Sequence, residues 1–79
     1  MKKYEEQANV TGSIIKKARL KKKLSKSEVC RRLQLHAVDI DRIQFYKMEE
    51  GFMSIKDFEL LALRKVLDIS FEELDNTIM

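Results

Sequence analysis

Leu24-Ser25-Lys26-Ser27-Glu28-Val29-Cys30 is the stretch on which the fold turns. Ser25 with Glu28 three residues later is a capping box, in which each side chain can satisfy the other residue's free backbone amide. It opens a helix with Val29, Cys30 and Leu33 turned inward and Leu35 packing near its end. Upstream, Gly12 and Ser13 precede Ile14 to Leu20. Ile14, Ile15 and Ala18 share a helical face there and the lysines project outward, so a first helix should fade near Lys22 or Lys23. Downstream, His36 to Ile40 breaks the periodicity and reads as a connection anchored by Val38 and Ile40. Asp41 is the N-cap of a short third helix, Arg42 to Glu49, with Phe45 and Met48 inward. Gly51 falls just past its end, where a left-handed residue is commonly needed.

A fourth helix is expected after Ser54, with Asp57 as its capping partner. Ile55, Phe58, Leu61 and Ala62 lie at helical spacing, and Leu60, Leu63 and Leu67 widen the apolar surface. Ser70 with Glu73 is another capping box and opens a last short helix bearing Phe71, Leu74 and Ile78. The pattern is all-α, a compact five-helix domain over residues 11–79 behind a loose polar tail, residues 1–10.

Composition agrees. The 79 residues contain no proline and two glycines, and strong helix formers dominate. No apolar run reaches the roughly 18 residues of a membrane span, and the polar N-terminus lacks the pattern of a secretion signal. A cytoplasmic location is expected. The single Cys30 has no internal partner for a disulfide, which fits a reducing compartment. The net charge of +3 is unevenly placed. Residues 1–32 carry eleven Lys and Arg against three Glu, and residues 33–79 carry five against ten Asp and Glu. A basic end of this kind attracts nucleic-acid phosphates or anionic membranes.

Several segments, taken in order, resemble the DNA-binding domain of the Cro and phage-repressor type, an XRE-like helix-turn-helix family. Ile15-Lys16-Lys17-Ala18-Arg19 looks like that family's first helix. Leu24 to Cys30 looks like its L-S/T-Q-x-E-L-A opening of helix 2. Lys47-Met48-Glu49-Glu50-Gly51 looks like the R/K-I-E-x-G end of its recognition helix. Phe58 to Leu63 and Leu67 to Leu74 look like its L-x-x-L-A-x-x-L-x-V-x-x-x-E-L tail. The resemblance runs from about Gly12 to Leu74. It implies a lambda-repressor-like fold and a transcriptional regulator of the repressor kind. Lys23 stands where the family usually has Gly. The stretch from Gln34 to Asp41 is about five residues longer than the family's tight turn, as in a subgroup with an L-Q-L-x-x-x-x-I-D-R connection.

Physical reasoning locates the contacts. A short helix with an exposed polar face fits the major groove. With Phe45 and Met48 inward, Ile43, Tyr46 and Lys47 face outward, flanked by Arg42 and Gln44. Arg42 or Lys47 suits guanine N7 and O6, Gln44 suits adenine, and Ile43 suits a thymine methyl. The resemblance points to Arg42, Ile43 and Lys47 as base-reading positions. Ser25, Lys26 and Ser27 surround a helix N-terminus whose free amides and dipole favour phosphate. Lys16 and Lys17 are further phosphate candidates, and Lys21, Lys22 and Lys23 add to the field. One recognition helix spans few base pairs, so a homodimer on double-stranded DNA is expected. Ile69, Phe71, Leu74, Ile78 and Met79 would form its apolar surface, unless they pack onto the first and fourth helices.

Each feature also has a plain structural reading. Cys30 matches a small buried position and reads as a packed thiol rather than a redox sensor. His36 reads as a turn residue, having no companion ligands. Through the resemblance, Glu49 is structural and tied to Arg19, while Glu50 is a solvated helix end. Arg42 pairs with Asp39 or reads a base, and Tyr46 binds a phosphate or covers the core edge. No grouping suggests nucleophilic or metal catalysis, a cofactor or a small-molecule ligand. Two other functions remain in play: a protein-interaction module of the same fold, such as an antitoxin or adaptor, and a membrane-surface amphipath built on residues 12–24.

Overall fold

The computed structural model describes residues 9, 11–70 and 72–74. They form four α-helices: α1 (Gly12–Lys21), α2 (Lys26–Gln34), α3 (Arg42–Glu49) and α4 (Asp57–Leu67). Residues 72–74 add a further helical turn. The fold is all-α, with no strand among the described residues. α1 and α2 each pack against both α3 and α4, while α3 and α4 touch each other little. The core lies between them, around the fully buried Ile15, Val29, Leu33, Phe45, Met48, Leu63 and Leu67. No helix among the described residues is long and apolar enough to cross a membrane.

The N-termini differ in how they are closed. Ser25 caps α2 as expected, its hydroxyl accepting from the Glu28 amide at 3.0 Å. The reciprocal half is missing, because Arg31 and Arg32 hold the Glu28 carboxylate instead. α3 has the complete box. Asp41 accepts from the Gln44 amide at 2.8 Å, and Gln44 Oε1 accepts from the Asp41 amide at 3.1 Å. Ser54 does not cap α4. That helix starts later, and the Glu59 carboxylate accepts from the Lys56 amide at 2.8 Å. The Glu73 amide donates to the Ser70 hydroxyl at 3.1 Å, as expected for the last helical turn.

The C-termini share one device. Lys23, Ala37, Gly51 and Asp68 take positive φ, at 58°, 62°, 82° and 57°. Behind each of the four, the next amide reaches back five residues: Leu24 to Arg19, Val38 to Leu33, Phe52 to Lys47 and Ile69 to Arg64. These are Schellman closures, which stop a helix and reverse the chain. Lys23 therefore adopts the conformation that a glycine would favour.

The connection from α2 to α3 is the same device followed by a short extended piece. Val38, the residue after left-handed Ala37, is buried with Ile40, as expected. Leu35 is not packed. It is 77% exposed, because the closure turns Val38 inward in its place.

Two further expectations fail. The inner face of α4 carries Glu59, Ala62, Leu63 and Leu67, so Phe58 and Leu61 point outward. The late start and the turning-in of Glu59 set this phase. The segment before α1 is also not loose throughout. Asn9 accepts from the amides of Thr11 and Gly12, and donates to the carbonyls of Met48 at 3.0 Å and Met53 at 2.7 Å. It ties the start of α1 to the end of α3. Gly12 lies so close to α3 that a Cβ there would run into the Met48 and Glu49 carbonyls. Ile69 and Leu74 are buried, so they pack inward rather than offering a dimer surface. Phe71, Ile78 and Met79 lie outside the described residues.

Candidate nucleic-acid interface

α3 is held from its inner side. Phe45, Met48 and Glu49 are buried. Arg19 from α1 donates Nε to Glu49 at 2.7 Å and Nη2 to its second oxygen at 3.3 Å, while Nη1 binds the Leu24 carbonyl at 2.9 Å. This two-pronged pair is buried at both ends. It fixes the end of α3 to α1 and to the residue that leads into α2. The tie between Glu49 and Arg19 is therefore present in the structure.

Helical geometry then puts Ile43 near the crest of the outer face, with Tyr46 and Lys47 on either side. Arg42, Ile43 and Tyr46 share a shallow open groove with Ser25, Lys26 and Ser27 at the start of α2. Six of the ten candidate residues thus stand together. The Lys26 and Ser27 amides are in the first turn of α2, where they have no intrahelical acceptor. Among the described residues, no ion pair or hydrogen bond engages the side chains of Arg42, Lys26 or Lys47. In particular, Arg42 does not pair with Asp39.

The other candidates are placed differently. Lys47 is exposed on α3 but does not line the groove. Gln44 spends its amide oxygen on the capping box, leaving only its NH2 for a base. Lys16 pairs with Glu50 at 3.1 Å across to the end of α3. Lys17 lines a separate cavity with Lys21, Lys22, Leu67 and Asp68, between α1 and the end of α4. Neither lysine belongs to the groove.

A cluster that the sequence reading missed borders this region. Glu28 is bracketed by Arg31 at 2.5 Å and Arg32 at 2.9 Å. Their hydrogen bonds lower its pKa to about 2. The spacing of three and four residues on one helix was the available signal. The acid near the phosphate candidates is thus bound by two guanidinium groups. Burial pushes the Cys30 thiol up from its ordinary range, which fits a packed side chain rather than a reactive one.

The chain matches no protein-family model, no curated protein and no solved structure.

Proposed function

We propose that this protein binds double-stranded DNA and reads its sequence with α3, as a transcriptional regulator of repressor-like character. The observation that carries the reading is the shared groove, which sets the outer face of α3 beside the open N-terminus of α2. In this reading Lys26, Ser25, Ser27 and the first amides of α2 hold backbone phosphates. Arg42 donates to a guanine edge, Ile43 lies against a thymine methyl, and Tyr46 and Lys47 complete the contact. The exposed Lys17, Lys21, Lys22 and Lys23 supply attraction without specificity. From the Cro and phage-repressor resemblance we propose further that the protein is cytoplasmic and acts as a homodimer on DNA. It is a binding function and requires no cofactor.

The test is enrichment of duplexes from a random-sequence pool. The expected result is a short preferred sequence whose affinity falls as salt rises. Absence of binding to any duplex below ~100 mM salt would contradict the reading.

One observation favours a second reading, a protein-interaction module of the same fold. Ile43 and Tyr46 are 67% and 47% exposed, which gives the outer face of α3 an apolar centre. A stoichiometric protein complex that is lost on Ile43→Ala, in a protein without duplex affinity, would establish it.

A further inference from the structure

The outer face of α4 carries a second pattern, independent of the groove. Asp57, Leu61 and Lys65 are spaced four residues apart, so they form one ridge along the exposed side of the helix. Phe58 widens its apolar middle. Phe58 and Leu61 are 56% and 52% exposed although the core lies directly behind them. Among the described residues, neither Asp57 nor Lys65 has an ion-pair partner in the chain.

The order acid, apolar, base makes this ridge complementary to itself in one orientation only. An antiparallel copy related by a two-fold axis through Leu61 sets Asp57 opposite Lys65 at both ends. It also sets Leu61 against Leu61, with Phe58 alongside. A parallel copy would set acid against acid and base against base. Such an isologous contact is what a two-fold interface requires.

We propose that α4 is a self-association surface on which a second copy of this chain docks antiparallel through Asp57, Phe58, Leu61 and Lys65. None of these four residues lines the α3 groove. A single helix face buries less than the ~1,200 Å² of a standard specific interface. Self-association is accordingly weak, with a dissociation constant of ~0.1 mM. The inference does not depend on DNA binding, and it is tested without DNA.

The experiment is sedimentation of the full chain up to ~1 mM, a range set by that affinity, with circular dichroism to check folding. The wild type should show a monomer–dimer equilibrium. Asp57→Lys, Lys65→Asp and Leu61→Glu should each weaken it about tenfold or more. The double exchange Asp57→Lys/Lys65→Asp should restore it. Asp57 and Lys65 also suit the dipole of their own helix. If that were their sole role, the double exchange would be the worst variant and no association would return. A wild type that stays monomeric, or a double exchange that does not recover, overturns the proposal. Leu61→Glu changes an exposed side chain, so it gives a reading even where a charge exchange impairs folding.

Discussion

On its inner face, α3 presents Phe45, Met48 and Glu49, and the polar group there is fully engaged: Glu49 takes two hydrogen bonds from Arg19. On its outer face, the same eight-residue helix presents Arg42, Ile43, Tyr46 and Lys47, all exposed. The inner face fixes where the helix sits, while among the described residues no ion pair or hydrogen bond engages the side chains of Arg42 and Lys47 on the outer face. Arg42, Ile43 and Tyr46 share a groove with the N-terminus of α2, and Lys47 stands exposed beside it, so all four are accessible to a partner. The comparison predicts that substitutions on the two faces separate cleanly, with stability changing on one and binding on the other.

Glu49→Ala should give the largest effect. It leaves the Arg19 guanidinium buried without its counter-ion, a loss of about 3–5 kcal/mol in urea or thermal unfolding. A loss below ~1 kcal/mol would mean that the pair does not hold α3. Ala37→Gly acts on the connection that delivers α3. Relieving the left-handed alanine should stabilise the protein by about 1 kcal/mol in the same assay. Arg42→Ala and Lys26→Ala, on the outer side, should each stay within about 0.5 kcal/mol of wild type. The smallest effect concerns Glu28, whose folded pKa of about 2 is depressed from an ordinary 4.5. Its contribution is present above pH 4.5 and lost as pH falls towards 2. Solvent screening keeps it small. An NMR titration of the Glu28 carboxyl carbon should find its midpoint near 2, and a midpoint at the ordinary value would remove the Arg31–Arg32 bracket.

The two faces were not equally legible in the sequence. The bounds of α3, its Asp41 cap and the burial of Val29, Cys30, Leu33, Phe45 and Met48 follow from caps and from a 3.6-residue period. The phase of α4 does not, because Phe58 and Leu61 are as apolar as Leu63 and Leu67. What decides it is an acid, Glu59, turned inward to accept from the Lys56 amide. The left-handed helix ends at Ala37 and Asp68 carry no glycine to mark them. Lys23 was marked only through a family position that is usually glycine. In the candidate interface, Lys26 and Arg42 could be chosen from helix geometry. The pairing of Lys16 was not legible, since its partner Glu50 lies 34 residues away. The engagement of the Gln44 amide oxygen was legible, because Asp41 with Gln44 has the spacing of a capping box.

The most direct test is the salt dependence of affinity for the selected duplex, compared between wild type and Lys26→Ala. The account predicts a log–log slope of about −0.9 for each phosphate neutralised, reduced by about one phosphate in Lys26→Ala. It also predicts that Arg42→Ala costs about 1–3 kcal/mol at one base position and relaxes the preference there. A duplex affinity indifferent to salt, or one that both substitutions leave unchanged, would contradict it.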